Sequence, residues 1–141
     1  MTILGFSINA INAFIDVKKS YSGTINVNSV PSIEKLEEKK LPNTKDIVEV
    51  TFSFKSSYEP KIGEVEIKGT VLYHEDDIKK VLSDWKNNKK LNEKMAVEVL
   101  NTIFRKCLSE SVGLADKIGL PPPLRFPEVK PGKKDGNDYT G

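Results

Sequence analysis

The side chains best suited to acid–base, nucleophilic or metal chemistry are few in this sequence. His74 is the only histidine and Cys107 the only cysteine. Two-histidine metal motifs are therefore excluded, as is any Ser-His-Asp or Cys-His system built without His74. His74 sits beside Glu75, Asp76 and Asp77 where a strand pattern gives out, and a solvated imidazole is the expectation there. Cys107 falls on an apolar helical stripe, so it reads as a small buried thiol rather than a nucleophile. It has no second cysteine for an intrachain disulfide. Glu34, Glu37 and Glu38, like Glu75 to Asp77, read as solvated runs rather than working carboxylate pairs. Neither the dinucleotide-binding nor the P-loop glycine pattern occurs. These residues predict a protein that is not an enzyme and has no cofactor and no metal site.

The chemistry left is apolar, and it concentrates between Lys94 and Val129. Ala96, Leu100, Ile103 and Cys107 recur at steps of four, three and four, and Val97, Phe104, Leu108 and Ala115 widen the stripe. That is the spacing of an amphipathic helix, at about 3.6 residues per turn. Gly119 is a natural stop, since glycine takes the left-handed conformation at low cost. Pro121, Pro122 and Pro123 lack backbone N–H groups and cannot continue a helix. A long helix thus delivers a stiff apolar loop, Leu120-Pro121-Pro122-Pro123-Leu124-Arg125-Phe126, which must cover a core or line a groove.

The elements before that helix are strands. Residues 3–17 alternate in one phase through Phe6, Ile8 and Ala10 and in the other through Ile11, Ala13, Ile15 and Val17. A β-bulge accounts for such a flip. Thr24–Val30 reads as a second strand, with Pro31 suited to a sheet edge. Ser32–Lys40 is charged and fits a short helix. Asp46–Tyr58 alternates cleanly, Val48, Val50, Phe52 and Phe54 against Glu49, Thr51, Ser53 and Lys55. Glu64–Tyr73 follows after a short turn, which implies an antiparallel hairpin. Gly69 occupies an inward position there and marks a bulge or a close backbone approach. Asp76–Lys86 has Ile78, Val81, Leu82 and Trp85 at helical spacing, with Asp76 or Asp77 as its cap.

With 141 residues and a net charge of +2, one domain with its own core is expected. Basic and acidic residues are mixed along the chain and nearly balance, so no nucleic-acid partner is implied. No apolar run reaches the length of a membrane span and the first residues do not form a secretory signal, which predicts a cytoplasmic protein without membrane insertion. Residues 1–129 read as the domain and 130–141, nearly devoid of apolar residues, as a disordered polar tail. The fold class is α+β, a four-stranded antiparallel sheet packed on one face by a long C-terminal helix. One helix leaves some of the apolar face over, which argues for oligomerisation or a groove.

This order of elements resembles the SecB-type export chaperones. The hairpin of residues 46–73 looks like that family's third and fourth strands, and Gly23–Val30 stands in the place of the second. Residues 96–129 are similar to its long helix followed by a Leu-x-x-Pro-type loop. The resemblance implies an ATP-independent holdase for unfolded polypeptides, with protein export as its pathway and a homotetramer, a dimer of dimers, as its assembly. It implies a polypeptide-binding groove lined by Tyr73, Trp85, Leu120, Leu124, Phe126 and Val129. The same residues would also serve to seal the sheet core, and the sequence leaves both open. The chain departs from the family in its near-neutral charge and in lacking a Cys/His metal-binding tail. A non-catalytic adaptor on the same fold, binding one folded partner, is the alternative.

Overall fold

The computed structural model describes residues 3–16 and 24–124. Strands β1 (Ile3–Ile15), β2 (Asn26–Leu41), β3 (Thr44–Glu59) and β4 (Gly63–His74) precede helices α1 (Ile78–Asn88) and α2 (Glu93–Ile118). The strands form one antiparallel sheet in the order β1-β4-β3-β2. The expected α+β class and hairpin are both present. The β3–β4 hairpin forms the centre, and its alternation sets what is buried: Val48, Val50, Phe52, Phe54, Val65, Ile67 and Val71 are wholly enclosed.

Two bulges decide how the outer strands present their side chains. In β1 the register slips between Ile8, paired with Gly69, and Ala10, paired with Lys68. Asn9 is the extra residue, just ahead of the expected flip at Ala10 and Ile11. Phe6 and Ile8 therefore share a face with Ile11, Ala13 and Ile15, because one added residue realigns the alternation. Gly69 serves the bulge directly. A Cβ there would stand 2.0 Å from the Ser7 carbonyl oxygen and 3.0 Å from Phe52 Cζ. Its missing side chain leaves room for the Phe6–Phe52 stack, with centroids 5.4 Å apart.

Residues 32–40 correct the sequence reading. They continue β2 and are not a helix. Ile33 and Leu36 lie three apart, which mimics helical spacing, but a slip between Ile33 and Lys35 places both on the inner face, opposite Phe52 and Val50. Pro31 does sit on an edge strand, where proline is tolerated. The β2–β3 turn is Pro42-Asn43, with Asn43 at φ 63°, which suits a type II turn.

The helix ends follow capping chemistry. Asp77 caps α1 by accepting from the Lys80 N–H, and Asn92 caps α2 by accepting from the Met95 N–H at 2.8 Å. Gly119, at φ 80°, ends α2 while the Leu120 N–H donates back to the Ala115 carbonyl. The buried stripe of α2 runs through Met95, Val99, Ile103, Cys107, Ser111 and Ala115. It is rotated from the stripe read in the sequence, so Ala96 and Leu100 are half-buried and Val97 is exposed. Phe104 meets Phe54 edge-on at 5.6 Å. Helix α1 packs on β2 and β3, and α2 touches all four strands.

Glycines at two positions should respond oppositely to alanine. Gly69→Ala forces a Cβ into the Ser7 carbonyl and is expected to lose about 3 kcal/mol. Gly113, within α2, has nothing near its missing Cβ, so Gly113→Ala is expected to gain about 0.5–1 kcal/mol. Urea unfolding of both variants measures the difference.

Candidate functional site

Covering a sheet from one side leaves apolar surface in two regions. The first lies along β1 and the flank of α2. Ile3, Leu4, Phe6, Val97 and the stem of Arg105 line a cleft of about 540 Å³. Leu4 is 48% exposed and Val97 53%. Further along β1, Ile11 faces the helix side yet is 48% exposed. From Ile3 to Ile15 this strand has no charged residue and no proline. The helical stripe in the sequence hides this cleft, because it counts Val97 with the buried side while the structure exposes it. The uncharged run before Asp16 was the available signal.

The second region holds the residues expected to line a groove, and the structure separates them along the sheet. Tyr73 is buried near the C-terminal end of β4, paired with Val48 and Ile3. Trp85 is half-buried on α1, and the Lys89 ammonium lies 5.2 Å from its ring centroid. Leu120 is buried at the opposite end of β4, with its Cδ1 3.0 Å from where a Cβ on Gly63 would stand. Leu124 is 36% exposed. Gly63 and Tyr73 are ten residues apart on one strand, so the two ends are separated by roughly 30 Å. Phe126 and Val129, with the tail of residues 130–141 and the turn of residues 20–23, lie outside the described residues.

The proline loop is held by one strong contact. The Tyr58 hydroxyl donates to the Pro121 carbonyl at 2.6 Å. Burial pushes the Tyr58 phenol above its ordinary value, so it remains a donor at any ordinary pH. The Asp16 N–H donates to the Ile62 carbonyl at 2.7 Å, so the end of β1, the β3–β4 turn and the proline loop meet at one corner.

Of the residues capable of chemistry, Cys107 is sealed away and His74 stands partly exposed among acidic neighbours. Cys107 is wholly buried, and desolvation pushes its thiol from 9.0 up to about 12. His74 Nε2 lies 3.8 Å from Asp76 Oδ1, an ion pair whenever the imidazole is protonated. Among the described residues, Asp46, His74 and Asp76 form the cluster whose ligand atoms approach within 4.8 Å of one another, and both carboxylates are exposed. Outside this group, acidic side chains on the polar sheet face mostly answer lysines, as in Lys39–Glu49 at 2.9 Å and Lys55 near Glu64 and Glu66.

Comparison with known proteins places the fold. No family model matches the chain, and no curated protein matches it. Among solved structures, the SecB-like chaperone Rv1957 of Mycobacterium tuberculosis, in complex with a ChAD peptide from the Rv1956 HigA1 antitoxin, is similar at a TM-score of 0.54. The two are 14% identical, over 88% of this chain and 87% of that one. The fold is SecB-like: a four-stranded antiparallel sheet with a long C-terminal helix. No helix among the described residues is long and apolar enough to cross a membrane.

Two substitutions probe this geometry. Tyr58→Phe removes the bond to Pro121 and is expected to cost about 1 kcal/mol, with faster limited proteolysis after Leu120 as the accompanying readout. Cys107 should resist iodoacetamide in the native protein at pH 8 and react on unfolding. Because the folded thiol holds its proton to about 12 while the unfolded one releases it near 9.0, stability from this group is intact below pH 9 and falls as pH rises toward 12. A Cys107→Ala variant, titrated in parallel, should lose that extra fall.

Proposed function

We propose that this chain is an ATP-independent holdase that binds non-native polypeptide and catalyses no reaction. The observation that carries this reading is apolar surface left open away from β1: Leu124 is exposed and Leu82 and Trp85 are only half-buried beside a sheet whose centre is completely buried. Extended clients meet such a surface through apolar contacts that read no particular sequence, and open strand edges add main-chain hydrogen bonds. Trp85 and Leu124 are the solvent-facing contacts, and buried Tyr73 and Leu120 underlie opposite ends of β4, roughly 30 Å apart, so a client that meets both ends lies extended along the sheet. Phe126 and Val129 complete the proposed set on their apolar character alone. Support comes also from the fold's likeness to a chaperone solved with a bound peptide. Delivery of clients for export from the cytoplasm is the role that goes with this reading.

The two sheet edges differ in a way that supports self-association. Edge β2 carries Pro31, a bulge and alternating Lys and Glu, the devices that discourage strand pairing. Edge β1 has bulges but no charge. We assign β1 and the adjoining cleft to contact with a second copy, with the dimer of dimers as the full assembly. An adaptor dedicated to one partner is the second reading, favoured by the fact that the peptide in the similar structure comes from one antitoxin.

A fluorescently labelled, permanently unfolded protein separates these readings. A holdase binds it, and the doubly substituted Leu124→Asp, Phe126→Asp protein is expected to bind at least about tenfold more weakly. Equal affinity would remove these residues from the groove, and indifference of the wild type to generic unfolded chains would favour the adaptor. Light scattering on the same samples is expected to give a mass near four times 15.8 kDa. A monomer at micromolar concentration would overturn the assembly.

A further inference from the structure

The corner where α1 gives way to α2 has a surface unlike the rest of the chain. Between residues 79 and 94 stand Lys79, Lys80, Lys86, Lys89, Lys90 and Lys94, against only Asp84 and Glu93. That stretch holds an excess of four positive charges while the whole chain carries +2, so the remainder is net acidic. All six lysines are exposed. On the sheet, Lys35, Lys39 and Lys55 each have a glutamate partner. Among the described residues none of these six is paired with a carboxylate. Glu93 lies in the first turn of α2, where it complements the helix dipole. Lys86, in the last turn of α1, does the same at the other pole. The dipole favours a cation at Lys86 but leaves its ammonium exposed to a ligand, and it does not account for the other lysines.

The same stretch carries apolar surface. Leu82, Trp85 and Leu91 pack against the core but are only half-buried. Lys89, held at φ 53°, lays its ammonium over the indole face. An apolar patch with a rim of unanswered cations matches a ligand with an apolar centre and anionic flanks. We infer that this corner receives polypeptide segments in which an apolar or aromatic side chain is flanked by Asp or Glu. The apolar side chain seats against Leu82, Trp85 and Leu91, and the carboxylates pair with Lys86, Lys90 and Lys94. The inference rests on the holdase reading and deepens it by giving the clients a charge class. Polypeptide fits better than nucleic acid, because the centre of the patch is aliphatic and aromatic and the rest of the chain repels polyanions.

Trp85 is the only tryptophan, so its emission reports directly on this corner. The probes are short extended peptides with identical Leu and Phe positions, interleaved with Glu in one, Lys in another and Ser in a third. At low salt the Glu peptide is expected to shift Trp85 emission and to bind about tenfold more tightly than the Lys peptide. The margin should shrink at about 0.5 M salt, where charges are screened within a few ångströms. The triple variant Lys86→Glu, Lys90→Glu, Lys94→Glu should reverse the order, with an unchanged melting curve confirming its fold. Equal affinity for all three peptides, or an order the variant does not alter, would overturn the inference. So would displacement of the Glu peptide by oligo-dT or phosphatidylserine vesicles at lower concentration than the peptide itself. An unfolded protein run in parallel separates the two readings. If it binds while the peptides show no charge order, only the charge class fails; if neither it nor any peptide binds, the holdase reading fails as well.

Discussion

A helix is narrower than a four-stranded sheet, and most of this structure follows from that mismatch. Strands stand about 4.8 Å apart, so the sheet's inner face is about 14 Å across between the outer strand axes, while a helix with its side chains covers about 10–12 Å. Helix α2 therefore seals the middle and runs short at the margins. The inward residues of β3 and β4 are buried without exception from Val48 to Tyr58 and from Gly63 to Tyr73, whereas those of β1 and β2 are mostly half-buried. Helix α1 makes up part of the shortfall over β2 and β3. The side of β1 has no second helix among the described residues, and exposed Ile11 and Val97 are the result.

The centre of the fold was legible because its alternation is undisturbed. From Ile47 to Tyr58 each residue of β3 faces a partner on β4 without a slip, so period two in the sequence became period two in space. Legibility fell where a bulge intervened. In β2 a slip sets the inward Ile33 and Leu36 three apart and hides the strand period of residues 32–40, whereas the phase flip in β1 reads as the bulge that is present. Gly69 was the exception: an inward glycine in a strand has few explanations, and both bulge and close approach meet there. The α2 stripe was recognised but set about one residue off, since Met95 and Val99 compete with Ala96 and Leu100 for the same period. Only the sheet decides which face turns in.

The candidate groove was less legible than the fold. Tyr73, Trp85, Leu120 and Leu124 are all apolar residues near element ends, and the sequence contains no information on which ends meet. The topology sends β4 from one end of the sheet to the other, which parts Tyr73 from Leu120. A linear motif such as the proline loop announces its own stiffness, but not the tyrosine, far back on β3, that fastens it.

That fastening joins residues 63 positions apart. During synthesis the whole sheet emerges before Pro121 does. Until then Tyr58 has no carbonyl to bind, and the corner beside Gly63 has no Leu120 to cover it. The chain thus passes through a stage in which one end of its core stays open until the proline loop has been made. The order of translation makes the latch a late, long-range closure rather than part of the folding nucleus.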